Sequence, residues 1–193
     1  MVLCLLASTA AARPAPTEDD MIGVIVYQPR SPYAESYAQQ LLDKLNVEGR
    51  FDELTAWVDR MLVMPNLLRG RADLEVLLWS IKVAATRKRA EADEASAEAS
   101  GSEAAWHRAG EAYATAARFA ARYDRLMVID SQFDAGIAYA RANEPLAALA
   151  SFHAVIEGSH GTLHDKAEEQ VVRVLVRLPR TWAVRALGGI VGP

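Results

Sequence analysis

The sequence predicts an all-α fold built from antiparallel helical hairpins, and three observations carry that prediction. Apolar residues recur three and four positions apart along most of the chain, which is the period of a helix with one buried face. Strong helix formers, alanine foremost, dominate the composition, while glycine (11) and proline (8) are few among 193 residues. A pentapeptide occurs twice, as Gly110-Glu-Ala-Tyr113-Ala and Gly136-Ile-Ala-Tyr139-Ala. Glycine inside a helix costs about 1 kcal/mol relative to alanine, so it stands where another helix comes too close for a side chain. Tyrosine three positions on shares that face and can fill the space beside the contact. The length suits one domain with a sizeable core. A content of 51% hydrophobic and 24% charged residues is ordinary for a globular chain.

Residues 1–12 form a short apolar run ending in small residues, with Ala10 and Ala12 before Arg13-Pro14-Ala15-Pro16. This resembles a secretory signal peptide that lacks its basic leading residues. Its removal would take away Cys4, the one cysteine, which fits an oxidising periplasmic or secreted location. The alternative is an ordinary apolar N-terminus on a cytoplasmic protein. Residues 13–32 hold four prolines and read as a linker or extended segment, with Met21–Tyr27 a short strand or a segment lying on the helical body.

From residue 33 to 179 the pattern is helical. Ser31-Pro32 reads as a helix start, followed by Tyr37, Leu41, Leu42 and Leu45 at helical spacing. A turn at Asn46–Arg50 leads to a second stripe of Phe51, Leu54, Trp57, Val58, Met61 and Leu62, stopped by Pro65. A third helix starts near Arg71 and runs into an alanine- and glutamate-rich stretch. Within that stretch residues 88–103 contain no large apolar side chain, so they are expected as an exposed helical extension or a mobile loop. Arg87-Lys88-Arg89 is expected to pair with acids of its own helix. One long helix is expected from Glu103 to Ile129, another over Phe133–Arg141, and a third after the Asn143-Glu144-Pro145 turn as far as Gly158. Ala167, Val171, Val174, Leu175 and Leu178 mark a last amphipathic helix closed by Pro179, its start capped by Thr162 with Asp165. Residues 180–193 read as a short helix around Trp182 and a fraying tail.

These features resemble the tetratricopeptide repeat family, whose helix pairs place small and aromatic residues at fixed contact positions in a period of 34 residues. Gly136, Tyr139, Ala148, Phe152 and Val155 match that pattern best. Trp106, Gly110 and Tyr113 match one half of it, and Leu41, Leu45, Gly49, Phe51, Leu54 and Val58 match it loosely. Leu42, Val76 and Gly110 keep the family period, and Gly136 falls eight residues short of the next step. The resemblance covers residues 33–160 and implies a short α-solenoid, the alternative being an irregular α-helical bundle. It further implies a concave face that holds peptides. Carried onto this chain, that face presents Gln39 and Asp43, then His107, Arg108 and Glu111, then Asp134 and Arg141.

The chemistry-bearing patterns are few. The formal charge of −4 argues against general nucleic-acid binding. No apolar run approaches the roughly 20 residues of a transmembrane helix. There is no phosphate-binding glycine loop and no nucleophile motif. His160, His164 and Asp165, with His153 upstream, have a metal-like spacing, but glycines at 158 and 161 break the helix around them. No catalytic residue, cofactor or metal is expected. The expectation is a non-catalytic scaffold that binds another protein or peptide. Its rivals are a small-ligand or metal-binding bundle and a structural piece of an envelope assembly held by Arg173, Arg177 and Arg180.

Overall fold

The computed structural model describes residues 15–178, and these are helical throughout, without a strand among them. The expected signal peptide (1–12) and the C-terminal segment (180–193) lie outside the described residues. The elements in order are α1 (Glu18–Tyr27), α2 (Ala34–Val47), α3 (Phe51–Leu62), α4 (Pro65–Leu68), α5 (Ala72–Ser100), α6 (Glu103–Ala120), α7 (Arg125–Arg141), α8 (Pro145–Gly158) and α9 (Thr162–Arg177).

The first difference from the sequence reading is α1: Met21–Tyr27, expected as a short strand or a segment lying on the helical body, lies on that body as part of a helix. Thr17 and Asp20 explain it. The Thr17 hydroxyl accepts from the Asp20 amide at 3.2 Å, and the Asp20 carboxylate accepts from the Thr17 amide at 3.0 Å. This reciprocal cap satisfies free donors at the helix start. Met21 and Ile25, one turn apart, then bury their side chains against α2. Glu18 clamps the helix further, reaching Lys44 at 2.9 Å and Arg50 at 3.2 Å.

Helices α2 and α3 form the expected hairpin around the Gly49 turn, where φ is +69°, a conformation that suits glycine. The start of α2 differs slightly: Tyr33 precedes the first turn, and Ser31 accepts its amide at 3.3 Å. Leu41, Leu42, Leu45, Leu54, Val58 and Met61 are all buried. Together with Met21, Ile25, Leu67, Leu74 and Leu78 they make an N-terminal core. Its last members lie on α5.

Helix α5 spans 29 residues, about 43 Å at 1.5 Å per residue, and links two cores. Its first half completes the N-terminal core. Its second half, expected as an extension or loop without packing, lies antiparallel along α6. Ala90 and Ala97 are fully buried in a second core. Large side chains are not needed here, because alanine lets the two helices approach closely. Facing them, α6 also turns small residues inward at Ala105, Ala109 and Ala116. Gly101 with φ +65° and the Ser102 cap make the reversal.

The break between α6 and α7 also differs from expectation. The chain turns at residues 121–124, and α7 then runs unbroken through residues 129–133. Asp124 sets the boundary by accepting the Met127 amide at 3.0 Å. Tyr123 anchors the turn by donating its hydroxyl to the Trp79 carbonyl at 2.9 Å. The two pentapeptides therefore sit on consecutive antiparallel helices. The 26-residue step from Gly110 to Gly136 covers one helix length and one turn, which accounts for its falling short of a two-helix period.

The glycines do what the sequence asked of them. A Cβ on Gly110 would lie 2.8 Å from the ring of Tyr139 on α7. One on Gly136 would lie 2.6 Å from the ring of Phe152 on α8. Each glycine thus receives an aromatic ring from the next helix. The tyrosines reach back the other way: Tyr113 donates to Glu94 on α5 at 2.9 Å, and Tyr139 donates to Glu111 on α6 at 2.8 Å. Helices α8 and α9 close the second core with Ala148, Leu149, Phe152, Val155, Ala167 and Val174. Gly161, with no side-chain cap, starts α9; Thr162 and Asp165 lie in its first turn and do not make the expected capping bond.

Candidate functional site

Two antiparallel helices leave a groove between their ridges, and the α5–α6 pair has one of about 280 Å³. Thr86, Ala112 and Thr115 form its floor, and Arg89, Asp93, His107, Arg108 and Glu111 rise around it. The floor is quiet: Thr86 turns its hydroxyl to the Lys82 carbonyl at 2.7 Å, and Thr115 accepts from Arg118 at 2.8 Å. Three of the seven residues expected on a binding face, His107, Arg108 and Glu111, line this groove.

Each rim side chain is held from a different element. Arg108 reaches Asp93 across the groove, Nε to Oδ1 at 3.4 Å. Arg89 extends to Asp52 on α3 through Nη1 at 2.7 Å. His107 Nδ1 lies 2.7 Å from the Glu144 carboxylate, just before α8. Glu111 accepts the Tyr139 hydroxyl. Burial, then the bond to Glu111, push that hydroxyl well above the usual tyrosine range, so it stays a proton donor. The groove is thus tied to α3, α7 and α8.

Asp134 and Arg141 are placed elsewhere, where α7 meets α5. Arg87 donates to Ser131 and to Asp134, both at 2.7 Å. Burial raises the Asp134 carboxyl more than the Arg87 charge lowers it. Arg141 reaches Glu98 at 3.0 Å and lies 4.4 Å over the Trp106 ring. Both residues join helices. Gln39 and Asp43 stand exposed on α2, which packs on α1 and α3. The seven expected residues therefore divide among three settings: the α5–α6 groove, the α7–α5 ion pairs and the exposed side of α2.

Sequence reasoning missed Arg89 and Asp93, which complete the groove. Arg87-Lys88-Arg89 was expected to pair within its helix, and only Lys88 does so, with Glu91 at 2.6 Å. At 100° per residue, three consecutive cations must point to three sides, so Arg87 meets α7 and Arg89 meets α3. Lys82 was missed too. It is 7% exposed, pairs with Asp59 of α3 at 2.5 Å, and lies 3.9 Å over the Phe119 ring. Burying an ammonium requires both the partner charge and the ring face.

A second, shallower hollow of about 660 Å³ lies beside the α1–α2 loop, where Tyr27, Pro29 and Pro32 surround the Arg30–Asn66 contact at 3.3 Å. The histidines near the C-terminus do not converge. His164 sits between the Ile156 carbonyl at 3.1 Å and Glu168 at 3.4 Å, while His160 is exposed. Among the described residues no group of three metal-ligating side chains comes together, and no helix is long and apolar enough to cross a membrane. The chain matches no protein-family model, no curated protein and no solved structure.

Proposed function

We propose that this protein is a non-catalytic helical scaffold whose α5–α6 groove binds another protein or a peptide. One observation carries the reading: the groove sets charged side chains around a floor of methyl groups, on two helices braced by their neighbours. An apolar floor with a few directed polar groups is what recognition of a peptide requires. The floor hydroxyls are turned to internal partners, which suits binding better than bond-making. The tetratricopeptide-like character of the chain belongs to the same proposal. Its support is the α7–α8 hairpin, where Gly136 and Phe152 interlock as a small-and-aromatic contact pair. Export is proposed on the composition of residues 1–12.

The test is capture of partners from the native source on immobilised protein, comparing the wild type with Ala112→Met, which fills the floor with a helix-compatible side chain. The reading predicts a protein retained by the wild type and released from the variant, with circular dichroism unchanged. Equal retention by both would place the contact elsewhere and reject the groove. Mass spectrometry of the mature N-terminus decides export: a chain beginning at Arg13 is expected, and one beginning at Met1 would contradict it.

A further inference from the structure

Gly110 and Gly136 each sit inside a helix and receive an aromatic ring from a neighbouring helix. Gly23 also sits inside a helix, α1, yet a Cβ there would meet nothing within 4 Å. A glycine in a helix interior lowers helix stability relative to alanine. At Gly110 and Gly136 the seated ring offsets that loss. At Gly23 no contact among the described residues does so, and the gap faces outward.

The residues around the gap are apolar and exposed. Met21 and Ile25 point into the N-terminal core. At 100° per residue, Gly23 then stands on the opposite side of α1, with Asp19, Val26 and Tyr27 beside it. Val26 is 37% exposed and Tyr27 83%. Gly23 and Tyr27 are four residues apart and so neighbours on the helix surface. A face that carries a gap and a ring one turn apart is complementary to itself. Two copies of α1 packed antiparallel about a two-fold axis place each Tyr27 on the other copy's Gly23. The contact would repeat the one that the fold already makes at Gly110 and Gly136.

Charge favours the same register. It carries the first turn of one α1 past the end of the other, toward the hollow where Tyr27, Pro29 and Pro32 surround Arg30. That hollow has one cation and no carboxylate in its lining. Arg30 gives Nη2 to Asn66 and has no ion pair among the described residues. The arriving turn is acidic. Its Asp19 is exposed and likewise has no ion pair among the described residues. The two-fold axis makes the acid-to-base match twice. One ten-residue helix on its copy is a small contact, below the roughly 1,200 Å² of a standard interface. The association it supports is weak and depends on concentration.

We propose that the chain self-associates as a two-fold dimer through the outer face of α1. Tyr27 of each copy seats on Gly23 of the other, and Asp19 pairs with Arg30 across the seam.

The test is sedimentation equilibrium of the full chain over about 5–500 µM. A monomer–dimer equilibrium is expected, with a dissociation constant on the order of 100 µM. Gly23→Glu sets a charge against the ring, and Tyr27→Ser removes the ring. Each is expected to weaken association about tenfold or more. Neither side chain reaches the core, so circular dichroism is expected to stay unchanged. Asp19→Arg and Arg30→Asp are each expected to weaken association about threefold or more at low salt. The double variant Asp19→Arg/Arg30→Asp is expected to return to within about twofold of the wild type. A chain that stays monomeric over the whole range overturns the proposal, and so does association that Gly23→Glu leaves unchanged. A single charge reversal without effect, or a double variant that does not recover, overturns the antiparallel pairing and the proposal with it.

Discussion

Three glycines separate crowding from flexibility at the level of single residues. Gly136 and Gly110 each receive an aromatic ring closer than any Cβ would tolerate, whereas a Cβ on Gly23, inside α1, would meet nothing within 4 Å. Alanine improves helix propensity by up to about 1 kcal/mol at all three. Only at Gly136 and Gly110 does it also force a ring to move, at a cost of about 1–3 kcal/mol. Gly136→Ala and Gly110→Ala are therefore expected to lower stability by about 1–2 kcal/mol, and Gly23→Ala to raise it by about 0.5–1 kcal/mol, in urea denaturation. A stabilised Gly136→Ala would mean that Phe152 does not seat on that glycine. The sequence showed this contact in the repeated pentapeptide, because a glycine and an aromatic at fixed spacing imply a close approach. It did not show which ring fills which gap, since Tyr139 and Phe152 come from the following helix in each case.

The elements show where periodicity is informative and where it fails. The hairpins α2–α3 and α7–α8 rest on large apolar stripes and were legible within a few residues at most of their ends. The second half of α5 was not, because its buried face is alanine and a scale of hydrophobicity gives alanine little weight. Close helix approach replaces bulk there. Hydrogen exchange checks this directly: amides of residues 90–99 are expected to be protected comparably to those of α6, and exchange within seconds would mean a loop. The boundary at Asp124 was hidden for another reason. No glycine or proline interrupts residues 120–125, and a lone aspartate cap is a weak signal beside an unbroken helical composition. Helix α1 was missed because its prolines lie outside it and its cap is a threonine–aspartate pair. Hydrogen bonds from Arg50 and then Lys44 hold the Glu18 carboxyl below its ordinary value of 4.5. A lowered acid contributes stability that is present above its unfolded value and lost as pH falls through the folded one. Docking of α1 is thus expected to weaken first as pH drops below about 4.5, read as loss of α1 amide protection while α6 stays protected. Glu18→Gln should show the same loss at neutral pH. Uniform loss of α1 and α6 together would contradict it.

At the scale of the whole molecule, α5 is the shared member of two cores, and the charged side chains along it set the layout. Lys82 ties it to α3 through Asp59, Arg89 ties it to α3 through Asp52, and Arg87 ties it to α7 through Asp134. An all-α fold was legible from period and composition. The site was legible in part: His107, Arg108 and Glu111 follow from their polar positions on an amphipathic helix. Their company with Arg89 and Asp93 depends on which way α5 runs past α6, and that is set by the Gly101 reversal together with the alanine packing. Asp134 and Arg141 are polar for a different reason: they pair with Arg87 and Glu98 of α5. The most direct test of the central claim is site-specific photo-crosslinking in the native source, with benzophenone carried at His107 on the exposed groove rim or at Ala154 on the exposed side of α8. A protein or peptide adduct is predicted from His107 that Ala154 does not give and that Ala112→Met suppresses. Adducts of equal yield from both positions, or from Ala154 alone, would contradict it.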